Sequence, residues 1–487
     1  MFLSLYTVRL VMQTLGVSDF GIFSLLAGVV AMLTFITNSL VGATQRFVSY
    51  YQGKGIMEEL VKVFNNSLLV HILLAFLFFL GLEMIGPFLF DGFLNIPSDR
   101  LQAAYTIYHI VIAILIVTLL SSPYHALLIS HENIVYISIT QVLVAILRVI
   151  FVIVMTLVSQ DKLIFYASIM FATELFGFLA MFAYTMIKYE ECILPTVRLA
   201  DKKILKSLLS YSGWTIYSTG CYVGQRQGIA IVINKLLGTT ANAAYGIAFQ
   251  VAGYTSALSG AVVNAIKPQI VKAEGGGERN KAMWLSYINS KISYFLTSLI
   301  CIPFSFEIDS ILKIWLTSVP EYAGTFCIMS MVALMCDATT TGLGTMNSAI
   351  GNISKYCLVM GTPKLLTLPV AYILLKLGFP ILYLVLLYII VEFVMAMYRI
   401  PYLSNEAGLN VSSFLKDVLC MEIIPTIVCV VVCVIMTHII HFEYRFILTT
   451  AISGGIFLLS IYFWGLTRNE RFIINDIVKT IYFKIRR

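Results

Sequence analysis

Apolar runs of about twenty residues recur along the whole chain, separated by short stretches rich in Gly, Pro and charge. At 1.5 Å of helical rise per residue, each is long enough to cross roughly 30 Å of hydrocarbon. Segments such as 72–82 and 428–436 stay apolar at successive positions, where a strand of a membrane barrel would alternate. The pattern therefore predicts an all-α polytopic membrane protein. Spans are expected near 1–15, 20–41, 62–85, 102–128, 134–158 and 163–187. After a polar stretch from Lys188 to Lys206, six more follow near 207–236, 243–266, 284–304, 322–348, 353–377 and 380–403, and a last pair near 413–440 and 446–466. They group into an N-terminal lobe (1–190), a C-terminal lobe (204–403), two extra helices (412–466) and a basic, amphipathic cytoplasmic tail (467–487). The first run is short, holds Arg9 near its middle and lacks a small-residue cleavage site, so it is expected to stay in the membrane as the remainder of a longer span.

Composition agrees with the pattern. Hydrophobic residues make up 59% of the chain and charged residues 12%, with a mean hydropathy of +0.91, whereas soluble domains carry about 25% charged residues. The net charge of +7 does not call for nucleic acid, because excess Lys and Arg also orient membrane proteins. Of the 32 basic residues, twenty-two fall on one side of the predicted spans, six on the other and four inside. The basic side is assigned to the cytoplasm, with both termini facing it, in a bacterial inner membrane. Nine cysteines are scattered through apolar runs, and Cys429 and Cys433, one turn apart, are read as packing and not as a metal site. Tyrosines near span ends, including Tyr50, Tyr51, Tyr105 and Tyr108, are expected to anchor at the membrane interface.

The chain also repeats itself. Leu15-Gly16 is echoed by Leu237-Gly238, Phe20-Gly21-Ile22 by Tyr245-Gly246-Ile247, Ala43 before Arg46 by Ala265 before Lys267, and Gly53-Lys54-Gly55 by Gly275-Gly276-Gly277. Six spans separate the copies, so both halves run the same way through the membrane, as a parallel repeat around a central cavity suited to alternating access.

The same residues carry a family resemblance. Thr14 to Phe23, Ala43-Thr44-Gln45-Arg46-Phe47-Val48, Ser212-Gly213-Trp214, Ala243 to Ala248 and Asn264 to Ile270 resemble bacterial polysaccharide and O-antigen flippases. These belong to the multidrug/oligosaccharidyl-lipid/polysaccharide (MOP) exporter superfamily. The resemblance implies a MOP-type fold of two six-helix lobes plus two C-terminal helices. It also implies translocation of an undecaprenyl-diphosphate-linked oligosaccharide for surface polysaccharide, with contact to the glycan polymerase machinery. A cationic cavity is implied as well.

Charges inside spans are costly unless paired or hydrated, and so they mark candidate sites. Arg9 and Arg226 fall on equivalent helices of the two halves, spans 1 and 7; Arg148 and Lys364 fall on spans 5 and 11. All four are candidates for the diphosphate, which guanidinium suits because its fork offers paired donors. Interhelical pairing, for instance of Arg148 with Glu174, is the structural alternative. Among the buried acids Glu83, Glu174, Asp337, Glu392 and Glu422, we single out Asp337, Glu174 and Glu392 for coupling to H+ or Na+; no cofactor or metal is expected. His71 and His109 are read as packing residues. A glycan polymerase or ligase would need a large extracytoplasmic loop, which the pattern lacks, so the protein is expected not to be an enzyme. The closer rival is a cation-coupled multidrug antiporter of the same superfamily, whose cavity would favour acids over cations.

Overall fold

The computed structural model describes residues 11, 14–16, 19–28, 33–93, 96–157, 161–316, 318–440, 442, 444–468 and 470–472, and these contain helices and no strand. Most of the expected first span, Arg9 included, and most of the expected tail lie outside the described residues. The helices are α1 (Asp19–Gly28), α2 (Thr34–Lys54), α3 (Met57–Phe88), α4 (Leu101–Ser130), α5 (Ile134–Met155), α6 (Lys162–Lys188), α7 (Lys202–Leu237) and α8 (Thr239–Gly275). Then come α9 (Arg279–Phe306), α10 (Ile308–Trp315), α11 (Ala323–Ala338), α12 (Thr341–Ile350), α13 (Ser354–Lys376), α14 (Ile381–Ala407), α15 (Val411–Ile439) and α16 (Arg445–Gly465). Among the described residues eight helices are long and apolar enough to cross a membrane, or eleven when three bent pairs each count as one span. Two other long helices, α2 and α7, are more polar: α2 carries Asn38, Gln45 and Arg46, and α7 carries Gln225, Arg226 and Gln227.

Helix starts follow local chemistry. Asn133, Asp161 and Asp201 turn their side-chain oxygens onto backbone amides at the starts of α5, α6 and α7, among them Leu163 N at 3.0 Å and Lys203 N at 2.7 Å. Such caps satisfy amides that have no partner within the helix. Consecutive amides in α3 then hold the polar stretch between α6 and α7. Asn65 accepts from Thr196 N at 2.8 Å and donates to its carbonyl at 2.9 Å, while Asn66 accepts from Asp201 N at 2.9 Å and donates to Leu199 O at 3.1 Å.

The chain divides into two compact units, 1–219 with 275–277, and 220–274 with 278–487, so the division falls inside α7. In the first unit α4 is central, packing on α2, α3 and α6, while α5 lies against α6. In the second, α11 packs on α9 and α14, and α13 lies against α14. The pairs α3 with α4, α4 with α6 and α5 with α6 thus recur as α9 with α11, α11 with α14 and α13 with α14. The backbone repeats too: Gly16 (φ +79°) and Gly238 (φ +89°), like Gly55 (φ +72°) and Gly277 (φ +78°), take the left-handed conformation that favours glycine, in both halves. Pro303 near the end of α9 lies 216 residues after Pro87 near the end of α3.

The core of the first unit gathers around Ile107, Val111, Leu115 and Leu119 of α4. Tyr108, expected at the interface, is instead 1% exposed in this core, with its hydroxyl donating to Leu82 O at 2.5 Å. The α4 face that carries it points at α3, a direction that span-end position does not reveal. In the second unit Tyr245 meets Phe326, and Phe249 meets Tyr388, edge to face, while Tyr245 and Phe249 pack at a tilt. Helices α15 and α16 join α9 through Phe295, Cys429, Cys433 and Phe457. Arg445 bonds Glu307 at 2.8 and 2.9 Å, and Lys291 bonds Glu470 at 2.5 Å, so ion pairs tie this helix pair to α9 and the bend that follows it.

Candidate functional site

Four helices of the first unit, α2, α4, α5 and α6, surround a cavity of about 420 Å³. Asn38, Thr118, His125, Gln141, Arg148 and Glu174 supply its polar groups. Arg148 Nη2 reaches the Thr173 hydroxyl at 3.5 Å, and Glu174 accepts from the Thr118 hydroxyl at 3.3 Å. Arg148 Nε is buried without a hydrogen-bond partner among the described residues. Arg148 and Glu174 therefore share one cavity, as the structural alternative required, yet no ion pair joins them among the described residues.

The second unit uses the equivalent helices α8, α11, α13 and α14, with Tyr222 of α7, around a smaller cavity of about 260 Å³. Lys364 stands 216 residues after Arg148, and Glu392 stands 218 after Glu174. Here cation and acid meet: Lys364 Nζ bonds the two carboxylate oxygens of Glu392 at 2.5 and 2.7 Å. Asp337 opens on the same cavity and accepts from Arg399 Nη2 at 2.6 Å; Arg399 Nη1 also reaches Asp337 O and the Thr340 hydroxyl. Two carboxylates beside two cations leave little net charge to attract Na+.

Arg226 is placed differently. Its guanidinium lies over the ring of Phe249, 4.6 Å from the centroid, and no acid pairs with it among the described residues. The adjoining Gln225 is fully buried, and neither polar atom of its amide has a partner there. Such orphaned groups are costly to bury without a partner, which makes this turn of α7 a candidate for meeting a polar ligand or water. The fourth candidate cation, Arg9, lies outside the described residues.

Of the other polar residues read from the sequence, His71 is buried with Nδ1 2.8 Å from Ser67 O, a packing role. His109 is instead exposed and lies 3.0 Å from Glu83. Glu422 is buried, with one carboxylate oxygen lacking a partner among the described residues. Sequence reasoning missed Arg399 and His125. Arg399 falls near the end of the span expected over 380–403, whereas α14 runs on to Ala407 and Arg399 pairs with Asp337. The need of an in-span aspartate for a counterion was the available signal.

Residues 1–274 match the model of the family described as polysaccharide biosynthesis protein. The chain belongs to that family. No curated protein matches it. Its fold is that of MOP-superfamily transporters. The crystal structure of a MATE carrying a point mutation is 13% identical with a TM-score of 0.72, the match covering 85% of this chain and 93% of that one. A MATE in the bent conformation is 15% identical with a TM-score of 0.71, covering 84% and 94%. A MOP superfamily transporter from Pyrococcus furiosus Vc1 (DSM3638), described as having a binding pocket of reverse polarity, is 14% identical with a TM-score of 0.66, covering 85% and 94%.

Proposed function

We propose that this protein moves a polyprenyl-diphosphate-linked oligosaccharide, of the undecaprenyl type, across the bacterial inner membrane by alternating access. The carrying observation is Arg226, a guanidinium of the long helix α7 left without an acidic partner among the described residues and held by an aromatic face. A planar cation with its forked donors still available suits a diphosphate, and the surrounding aromatic side chains suit sugar rings. Membership of a polysaccharide biosynthesis family supports the same substrate class.

The other cations divide by their partners. Lys364 is neutralised by Glu392 and so is the weaker diphosphate ligand, while Arg148 faces a cavity of its own. Coupling to H+ or Na+ belongs to the same proposal, with Glu174 the first candidate because no cation pairs with it among the described residues, whereas Asp337 is paired with Arg399 and Glu392 with Lys364. Contact with the glycan polymerase and cytoplasmic termini are part of the proposal as well. The multidrug reading is the less supported one, because both cavities carry cations beside their acids. Deleting the gene should leave lipid-linked repeat units on the cytoplasmic leaflet while their synthesis continues. Unchanged surface glycan in a strain without a second flippase would refute the proposal.

A further inference from the structure

The two cavities occupy equivalent helices of a repeated fold, and each receives a cation from one helix and an acid from the next. In the second unit that geometry lets the pair close to 2.5 Å. In the first unit Arg148 and Glu174 stay apart, although an open pair of opposite charges in a poorly solvated site is worth less than a closed one. The fold does not forbid closure, since its own second copy achieves it. The open pair is therefore arranged for a ligand that satisfies both groups.

The charges restrict which ligand that is. A small cation at Glu174 meets the field of Arg148, and an anion at Arg148 meets that of Glu174. A neutral ligand rich in hydroxyls conflicts with neither: each hydroxyl can donate to the carboxylate and accept from the guanidinium. The rest of the lining has the same character. Asn38 and Gln141 offer an amide donor and acceptor each, Thr118 a hydroxyl, and Phe178 an aromatic face. At about 420 Å³ the cavity falls within the usual range of small-molecule pockets, roughly 300–1,000 Å³, while the 260 Å³ cavity of the second unit falls below it.

We propose that the cavity between Arg148 and Glu174 is a sugar site, which takes a neutral pyranose of the lipid-linked oligosaccharide separately from the diphosphate. The inference rests on the flippase reading above. It assigns Arg148 to hydroxyl recognition and leaves the diphosphate to Arg226.

Photocrosslinking in intact cells tests it. p-Benzoylphenylalanine is introduced into the full chain at Val144, which lines the cavity; at Tyr222 in the second unit; and at Val142, which is 54% exposed on α5 and serves as the control. The lipid-linked oligosaccharide of the cells is radiolabelled in its sugars. Capture of label at Val144 but not Val142 is expected. Glu174→Gln or Arg148→Gln should lower that capture at least about tenfold at unchanged protein amount, the factor carried by one lost charged hydrogen bond. Should either variant accumulate poorly, capture is normalised to folded protein and repeated with Gln141→Ala, which leaves both charges in place and should still weaken it. Capture at Tyr222 with none at Val144, or capture at Val144 indifferent to all three substitutions, would overturn the sugar site and leave the flippase reading standing. Absence of label at every position in cells that still export glycan would overturn both.

Discussion

Lys364 offers the sharpest separation of structure from function. Its ammonium bonds both oxygens of Glu392, and the two side chains are only 16% and 7% exposed. Replacing Lys364 by Met keeps the length of the side chain but leaves the Glu392 carboxylate without its cation. No neighbour can take over, because Arg399 is already committed to Asp337, which adds a second negative charge to the same cavity. Removing one member of such a pair costs about 3–5 kcal/mol, a large part of the roughly 5–15 kcal/mol that holds a domain folded. The double replacement Lys364→Met with Glu392→Leu removes the charge together with its partner, and exchanges of that kind are neutral or stabilising by about 1–4 kcal/mol. The assay is a double-mutant cycle on detergent-solubilised protein, read as folded monodisperse fraction and thermal midpoint, with glycan export measured in the same strains. Lys364→Met should lower the folded amount sharply and the double variant should restore it. If Lys364→Met accumulated and melted like the wild type while export was lost, the ion pair would carry no stability, and Lys364 would return to the diphosphate ligands.

At Arg226, replacement by Gln should abolish export at nearly unchanged abundance, since no acid is left unpaired among the described residues, and Arg226→Lys should retain part of the activity by keeping charge without the fork; export divided by protein amount is the measurement. Gly342→Ala should cost about 1–3 kcal/mol or more, because a Cβ there would collide with the Ser286 carbonyl of α9 and come within 2.8 Å of Ser290 Oγ, whereas Gly213→Ala meets open space and should leave the folded amount unchanged. In the stretch between α6 and α7, burial raises the Glu191 carboxyl, but its bonds to His131 at 2.6 Å and Gln52 outweigh that and hold it below the usual carboxylate range. Its contribution to stability is then present above the ordinary glutamate value and lost as pH falls through the lowered one, so the difference in melting temperature between wild type and Glu191→Gln should be full at pH 7 and shrink on acidification below about pH 4. Thiols engineered near Arg198 and near Asp99 should be labelled from opposite sides of the membrane, and labelling from one side alone would overturn the assigned topology.

Much of the architecture was legible in the sequence because a bilayer reduces the choices: a span must be apolar, about twenty residues long and helical. Apolar runs therefore gave the helices, and charge bias gave the sidedness now to be tested. The Gly markers gave a repeat whose paired left-handed glycines are now visible at Gly16 and Gly238, and at Gly55 and Gly277. Even the pairing of Arg148 with Lys364 by helix could be read, since equivalence along a duplicated chain is a one-dimensional property. Which groups touch is not. Lys364 and Glu392 lie 28 residues apart and Asp337 and Arg399 lie 62 apart, and contact at those separations depends on helix rotation and on where each helix ends. Hydropathy fixes neither to better than a turn. The same uncertainty hid Tyr108, whose direction on α4 decided between lipid interface and core. Tertiary packing also closed one copy of the duplicated charge pair and left the other open, because contact between two side chains depends on shifts of an ångström or two in the helices that carry them, and nothing in the order of residues records such shifts.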